Sequence, residues 1–310
     1  MSERIPFRVQ PMLATLVREP FHRPGWIYEE KYDGYRILAY KEADRVTLFS
    51  RNQNDRTQRF AGAAKAVAAL PARSLLLDGE MVAFDHCNVS RFQLLQNLEF
   101  EPEYAVFDCL YENGRDLRAE PLTRRREALE EVVGSAAARG TAIFPATRLA
   151  DNGLKAFQVA RRNGFEGVLA KDASAPYVEG RSRLWLKCKV HQEDEFVIIG
   201  YTAPAGSRQH FGALLLGAYE NGKLIYVGKV GTGFSQQSLA QLYRKFQPFL
   251  RTKPPVAVPP REKDATFLAP RLVAQIAYEE LTDDRKLRQP VFLGLRDDKR
   301  PEDVALPEAT

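Results

Sequence analysis

The pattern of hydrophobic and polar positions predicts short strands interrupted by a few helices over the first 190 residues. Apolar runs predict strands at residues 26–30, 35–41, 45–50, 74–84, 103–111, 166–171 and 184–190. Apolar residues at helical spacing predict helices at residues 57–70, 89–100, 121–137 and 155–164. Pro71 and Gly164 suit the ends of the first and last of these helices. Residues 1–25 are broken by prolines and predict an irregular lead-in.

The pattern changes near residues 189–193, where we place a domain boundary. Strands are predicted at residues 195–202, 212–220, 223–231, 272–281 and 291–295, with one amphipathic helix at 235–250. Asn221 and Gly222 predict a hairpin turn between two of these strands, and the proline-rich residues 253–260 predict a rigid loop. Several short strands around a single helix suit a five-stranded barrel of the OB type.

Composition places the chain among ordinary globular proteins. The 310 residues suffice for two domains, and 45% hydrophobic with 27% charged residues is typical of a soluble protein. The three scattered cysteines fit a reducing cytoplasm, and the chain has no CxxC pair for a structural zinc ion. A net charge of +5 permits a nucleic-acid partner.

The segment EKYDGYR at residues 30–36 concentrates reactive chemistry. Lys31 is a candidate covalent nucleophile, because a lysine amine attacks once it loses its proton. Asp33 offers oxygen ligands for Mg²⁺, and Arg36 offers a planar fork for phosphate or ribose oxygens. Gly34 would let the backbone approach a ligand closely.

Charged residues also interrupt several apolar strands, where burial without a partner is costly. These residues are Asp78, Glu80, Asp108, Glu166, Lys171, Lys187 and Lys189. Lysines for phosphates, acids for a metal and an aromatic for a base suit a nucleoside triphosphate. The chain lacks the GxxxxGK[ST] sequence, which excludes a P-loop site. We therefore predict one shared nucleotide site of another kind.

Six motifs follow one another as EKYDGYR, LLLDGEMV, AVFDCL, EGVLAK, LWLKCK and GLRDDK. In this order the sequence resembles the covalent nucleotidyltransferases, and within them the ATP-dependent DNA ligases of the bacterial end-joining type. The resemblance implies an α+β fold. A nucleotidyltransferase (adenylation) domain of antiparallel sheets with helices would span residues 1–190, and an OB-fold β-barrel would span 191–310.

The resemblance also implies roles for individual residues. Lys31 would attack the α-phosphate of ATP and carry AMP, and Phe107 would stack on the purine. The other implied ATP contacts are Glu30, Arg36, Arg51, Glu80, Lys171, Lys187, Lys189, Arg296 and Lys299. Asp33, Glu80 and Glu166 would coordinate Mg²⁺ or Mn²⁺. The barrel would close over ATP, so that the late basic residues orient the β- and γ-phosphates, and would then swing away about residues 189–193.

By the same resemblance, the AMP would pass to a DNA 5′-phosphate, and a 3′-hydroxyl would displace it to seal the break. We expect a cytoplasmic, nucleoid-associated monomer that acts on nicked or broken duplex DNA in repair, with a Ku-type end-binding partner. Only residues 1–25 precede the first predicted strand, so we expect a minimal ligase that grips DNA with both domains.

Two other functions stay open. An RNA ligase or an mRNA-capping guanylyltransferase would share the first motif, and the labelled nucleotide and the nick sealed would separate them. A non-catalytic OB-type single-strand binder would form no covalent nucleotide and would leave the charged interruptions unexplained. Arg124, Arg125 and Arg126 predict a solvated helix face, and Trp26 and Trp185 are predicted to be core residues.

Overall fold

The computed structural model describes residues 4–96, 100–134, 140–190, 192–204, 208–260, 262 and 264–307. The chain divides into two compact units, residues 1–190 and 191–310. Among the described residues, no helix is both long enough and apolar enough to cross a membrane.

The first unit combines strands with a few helices. Its strands are β1 (Met12–Val17), β2 (Trp26–Lys31), β3 (Tyr35–Glu42), β4 (Arg45–Ser50), β5 (Ser74–Val82), β6 (Glu103–Glu112), β7 (Arg115–Asp116), β8 (Ile143–Pro145), β9 (Arg148–Ala150), β10 (Gly167–Asp172) and β11 (Gly180–Lys189). Its helices are α1 (Ala61–Ala69), α2 (Leu122–Val133) and α3 (Gly153–Asn163), with a short 3-10 helix at Phe92–Gln96.

These strands form two sheets. Sheet A has the order β1-β11-β10-β2-β9, and sheet B has the order β4-β3-β5-β6-β7, with β8 beside β6. Neighbouring strands are antiparallel except for the parallel pairs β1–β11 and β6–β8. The predicted antiparallel sheets with helices are therefore observed. The strands β1 and β8 differ, because each pairs in parallel with its neighbour.

Alternating side chains build an apolar layer on each side of sheet B. Leu38 and Tyr40 of β3 join Trp185 of sheet A in one cluster, so this core lies between the two sheets. Ile37 and Ala39 point the other way and pack with apolar residues of α1 and α2. On the outer side of sheet A, another cluster contains residues of α3. The order of layers is therefore α3, sheet A, sheet B, and then α1 with α2.

The prediction of an irregular lead-in is wrong for Met12–Val17, which form β1 beside β11. Prolines at positions 11 and 20 lie on either side of this strand and concealed it in the sequence. Among the described residues of the helix predicted at 89–100, the structure has the 3-10 helix Phe92–Gln96. The backbone N of Phe92 donates to Oδ2 of Asp33, and Ser90 Oγ accepts from the backbone N of Asp33. Residues 97–99 lie outside the described residues, as do 135–139 at the end of the helix predicted at 121–137.

The second unit is a strand-rich unit with one longer helix. Its strands are β12 (Glu193–Thr202), β13 (Leu214–Glu220), β14 (Lys223–Val230), β15 (Leu250–Arg251), β16 (Ala265–Ala277) and β17 (Val291–Leu295). Its helix is α4 (Gln236–Phe246), with 3-10 helices at Gln247–Phe249 and Pro301–Asp303.

The sheet of this unit curls into a barrel. Its order is β14-β13-β12-β16-β15, with β17 beside β16. Backbone hydrogen bonds from Leu287 to Val227 and from Phe292 to Thr232 join the β17 side to the β14 side. The predicted OB-type barrel, and with it the α+β class, is confirmed. Its sheet has six strands and not the predicted five, because Leu250 and Arg251 pair with β16 as β15. The predicted hairpin turn is also present, with Asn221 at φ 48° and Gly222 at φ 75°.

Candidate active site

The segment EKYDGYR crosses from one sheet to the other. Lys31 is the last residue of β2 in sheet A, and Arg36 is the second residue of β3 in sheet B. Gly34 lies so close to β5 that an added Cβ would collide with the carbonyl oxygen of Met81. The close approach at Gly34 is therefore to a neighbouring strand, and it holds the crossover against sheet B.

Strand alternation decides which acid of β2 accompanies Lys31. Tyr28 packs in the apolar cluster that contains residues of α3, so Glu30 lies on that outer face. Glu29 and Lys31 point to the opposite face, toward sheet B. The predicted ATP contact Glu30 is therefore on the other side of the sheet from Lys31, and Glu29 is the acid that shares its side.

Glu29 is fully buried between two cations. The Nζ of Lys171 lies 2.6 Å from its Oε2, and the Nη1 of Arg126 lies 3.1 Å from its Oε1. The Lys171 ammonium also lies 4.2 Å from the ring centroid of Phe107 and 4.3 Å from that of Trp185. Burial lowers the pKa of Lys171 below its ordinary value, and the Glu29 carboxylate opposes that shift. The predicted ATP contact Lys171 thus has a buried partner of its own.

The other predicted lysines surround Glu166, which directly precedes β10. Lys31 forms an ion pair with the Glu166 carboxylate. Gly167 is opposite Lys31 on one side and opposite Lys189 on the other, and Lys187 shares the face of Lys189. Burial alone would raise the pKa of Glu166, but Lys31, Lys189 and Lys187 lower it below its ordinary value. The carboxylate is therefore ionised at neutral pH.

Arg36 is fixed by Asp78, a fully buried residue of β5. Its Nε lies 2.5 Å from Oδ1 of Asp78, and its Nη2 lies 2.7 Å from Oδ2. The Arg36 guanidinium carbon is 4.6 Å from the centroid of the Phe107 ring. Burial would lower the pKa of Arg36, but Asp78 raises it above its ordinary value. Phe107, the predicted purine partner, is buried in the core between the sheets.

The predicted metal ligands have different surroundings. Asp33 is buried, and its Oδ2 accepts a hydrogen bond of 3.0 Å from the backbone N of Phe92. Glu80 is half-buried opposite Arg36 in the β3–β5 pairing, close to Gly34. In the part of the chain that the structure describes, no three Asp, Glu, His or Cys residues form a metal-binding group.

This donor set fits a magnesium ion that takes most of its ligands from elsewhere. Mg²⁺ commonly binds through one or two carboxylates together with water and substrate phosphates. Glu166 is ionised and Glu80 is half-buried, so both offer hard oxygen ligands. Asp33 is less suited, because one of its oxygens already holds the backbone of Phe92.

The remaining predicted contact of this unit is Arg51, which lies half-buried in the turn after β4. The solvated helix face predicted for the arginines of α2 is correct only for Arg124, whose side chain is 70% exposed. Arg125 is fully buried and donates to both oxygens of Asp108, at 2.7 and 3.0 Å. Arg126 pairs with Glu29, so the prediction is wrong for these two residues.

In the second unit, the predicted phosphate contacts are also paired with acids. Arg296 is buried and donates to both oxygens of Asp298, at 2.9 and 3.0 Å. The Nζ of Lys299 lies 3.1 Å from Oε1 of Glu195, on β12. His191, within the predicted hinge, lies outside the described residues.

The sequence reasoning missed three residues at this site. Period-two alternation in β2 identifies Glu29 once Lys31 is chosen. The other two are Arg126, which pairs with Glu29, and Tyr177, whose hydroxyl donates to Oδ2 of Asp78 at 2.6 Å. Neither has a comparable signal, because each reaches its partner from a distant part of the chain.

The chain is similar to known proteins over nearly its whole length. Residues 11–189 match the family profile described as "ATP dependent DNA ligase domain", and residues 207–299 match "ATP dependent DNA ligase C terminal region". A "Multifunctional non-homologous end joining protein LigD" from Pseudomonas aeruginosa is 38% identical over 97% of this chain. This chain spans 37% of that protein's length. A DNA ligase from Thermococcus fumicolans is 32% identical over 96% of this chain and 57% of its own length.

Solved structures give the same picture. A mycobacterial DNA ligase D complexed with ATP and MES has a TM-score of 0.74 and 33% identity, covering 98% of this chain and all of its own. The ligase domain of Mycobacterium tuberculosis LigD has a TM-score of 0.54 and 34% identity, covering 97% of this chain and 99% of its own.

Proposed function

Because this chain belongs to the ATP-dependent DNA ligase family, we propose that it seals breaks between a 3′-hydroxyl and a 5′-phosphate in duplex DNA, using ATP. The motif order predicted this family, and the prediction is confirmed. The proposal for DNA ends of the end-joining type is supported by the LigD relatives, of which this chain spans the part described above.

The observation that carries the proposal is the surroundings of Lys31. This lysine ends β2 beside Glu166, with Lys187 and Lys189 on a nearby strand of the same sheet. Lysines bind phosphates as point charges, and a deprotonated amine is a nucleophile. The neutral Lys31 amine attacks the α-phosphorus of ATP, a P–N bond forms, and the amine releases a proton to solvent. The bond between the α-phosphorus and the bridging oxygen of the β-phosphate breaks, and pyrophosphate leaves.

The nucleotide is held between the two sheets. Arg36, Arg51 and Glu80 contact the ribose or phosphates, and Phe107 stacks on the purine after the surrounding side chains adjust. Glu29 takes the place predicted for Glu30, since it shares the face of Lys31. Lys171 and Arg126 keep Glu29 in position through their ion pairs.

Glu80 and Glu166 are the residues that would hold Mg²⁺, with Asp33 behind them. A bound ion would supply positive charge beside the phosphates, which phosphoryl-type transfer needs. Glu166 has a second task in this chain, because it positions Lys31 through their ion pair.

The later steps use DNA. The 5′-phosphate oxygen attacks the phosphorus of lysyl-AMP, the P–N bond to Lys31 breaks, and the amine regains a proton. The 3′-hydroxyl then attacks the activated 5′-phosphorus, and AMP leaves. The second unit contributes Arg296 and Lys299 to the first step, and a Ku-type end-binding protein recruits the enzyme to broken ends.

The decisive experiment uses ATP labelled at the α-phosphate. Wild-type protein becomes labelled, whereas Lys31→Ala does not. Lys31→Arg is also not labelled, because the arginine guanidinium keeps its proton and cannot attack. The arginine can still pair with Glu166, so this variant tests the nucleophile and not the ion pair. On addition of nicked DNA, the labelled protein transfers its AMP to the DNA and then seals the nick. Labelling of Lys31→Ala at the wild-type level would contradict the assignment, and labelling by GTP with no DNA sealing would favour a capping enzyme.

A further inference from the structure

The proposed nucleophile and one of its proposed nucleotide contacts belong to two different sheets. Lys31 is on sheet A and Arg36 is on sheet B, so contacts between the sheets help to hold their side chains in place. Near Arg36, two residues of the sheet A side make such contacts. The backbone oxygen of Met12 accepts a hydrogen bond of 3.1 Å from Arg36, and Tyr177 reaches Asp78.

Tyr177 lies in the connection between β10 and β11. Its hydroxyl donates to Oδ2 of Asp78 at 2.6 Å and accepts from the backbone N of Met12 at 2.8 Å. Its ring meets the Trp185 ring edge-on, with centroids 6.1 Å apart. The side chain is buried, so these contacts are shielded from water. One hydroxyl therefore joins the first strand of sheet A to the acid that fixes Arg36.

The Asp78 carboxylate has a full set of partners. Arg36 uses both of its oxygens, and Tyr177 supplies a further donor to Oδ2. Burial and the neighbouring Asp78 raise the pKa of Tyr177 well above its ordinary value, so the hydroxyl keeps its proton and remains a donor. Without this donor, the carboxylate could rotate and carry the Arg36 guanidinium with it.

We propose that Tyr177 is a positioning residue for the lysine-adenylation step, acting through Asp78 to fix the Arg36 guanidinium relative to Lys31. This inference rests on the proposed function, because it requires Arg36 to contact the nucleotide. Misplacing a positioned cation weakens its interaction with the phosphates. Positioning and charge stabilisation are most of what a protein contributes to phosphoryl-type transfer.

The test compares Tyr177→Phe with Tyr104→Phe. Tyr104 is also fully buried, and its hydroxyl donates to the backbone oxygens of Ile37 at 2.8 Å and Leu77 at 3.2 Å, in the same sheet B. It belongs to the apolar cluster on the other side of that sheet. Both variants lose a buried hydroxyl, so both should lower the melting temperature.

Only Tyr177→Phe should change the chemistry. In single-turnover labelling of Lys31, KM is taken as the ATP concentration that gives half the maximal labelling rate. We expect this KM to rise about tenfold, the effect of one lost hydrogen bond to a charged group. Tyr104→Phe should leave this KM within about twofold of wild type, inside the scatter expected for independent sites. An unchanged KM in Tyr177→Phe, or an equal rise in both variants, would overturn the proposal.

A second measurement tests the route through Arg36. In an Arg36→Ala background, Tyr177→Phe should change the KM for ATP by less than about twofold. Substitutions within one hydrogen-bond network do not have additive effects, and the Arg36 guanidinium through which Tyr177 acts is already absent. Multiplicative effects in the double variant would mean that Tyr177 acts independently of Arg36. If the wild-type protein forms no covalent nucleotide at all, the proposed function itself fails, and this outcome is distinct from the others.

Discussion

The Lys31 ammonium forms an ion pair with the Glu166 carboxylate, which directly precedes the strand beside it. Attack on phosphorus therefore requires Lys31 both to leave this carboxylate and to lose its proton. The same pair makes the stability of the fold depend on pH, because the surrounding lysines lower the pKa of Glu166.

We expect Glu166 to stabilise the fold at neutral pH and to lose this effect in acid. Its pKa is lower in the folded chain than in the unfolded chain, because the neighbouring lysines favour the carboxylate. The contribution is therefore present above the unfolded value and disappears as the pH falls through the folded value. Urea unfolding at a series of pH values should show wild type more stable than Glu166→Gln near neutrality. The difference should shrink in acid, and a pH-independent difference would count against the pairing.

Glu29 should matter more than Glu30 for labelling by ATP. Glu29 faces the same way as Lys31, and Glu30 faces the apolar layer of α3. We expect Glu29→Gln to lower the rate of Lys31 labelling at least about tenfold more than Glu30→Gln, a difference of about 1.4 kcal/mol. Labelling rates are compared at a temperature where circular dichroism shows both variants folded. Equal rates would mean that strand alternation does not select the nucleotide contact.

Arg125 and Arg124 offer a matched pair on one helix. Arg125→Met leaves Asp108 buried without its main cation, which should lower the free energy of unfolding by about 3–5 kcal/mol. Arg124→Ala removes only an exposed pair with Glu127, and should leave the free energy of unfolding close to the wild-type value. Guanidinium unfolding measures both values. Similar losses in the two variants would argue against a buried Arg125.

Lys299 should act in the first step only. We expect Lys299→Ala to lower labelling of Lys31 by ATP about 100-fold, as for other charges that stabilise a transferring phosphoryl group. Sealing of a nick that already carries AMP on its 5′-phosphate should stay within about threefold of wild type, since that step no longer involves pyrophosphate. Because Lys299 pairs with Glu195, Glu195→Gln serves as the control for loss of that pair. Equal loss of both steps in folded Lys299→Ala would remove the step-specific role.

Strand patterns predicted much of the fold, because alternation and turn chemistry are local properties of the chain. The Asn221–Gly222 turn and the OB-type barrel follow from them directly. Strand β1 did not, since the prolines on either side of Met12–Val17 suggested a loop and its partner β11 is remote in sequence.

The site was harder to predict than the fold. Ordered motifs predict Lys31 and its neighbours as site residues, but whether a charged residue faces solvent depends on distant partners. Arg125 and Arg126 look solvated in sequence, yet Asp108 and Glu29 meet them in the core. No spacing rule connects these pairs, which arise only when α2 packs on the sheets.

The crossover from sheet A to sheet B has a consequence for how mutations in this protein should be interpreted. Because Lys31 and Arg36 belong to different sheets, we expect the distance between the Lys31 amine and the Arg36 guanidinium to depend on the thickness of the apolar core between the sheets. A substitution that changes side-chain volume in this core, at Leu38 or Leu76 for example, should alter that distance without removing a contact to a ligand. Volume-changing variants in this core will then lower enzymatic activity, so that activity reports on how the core packs.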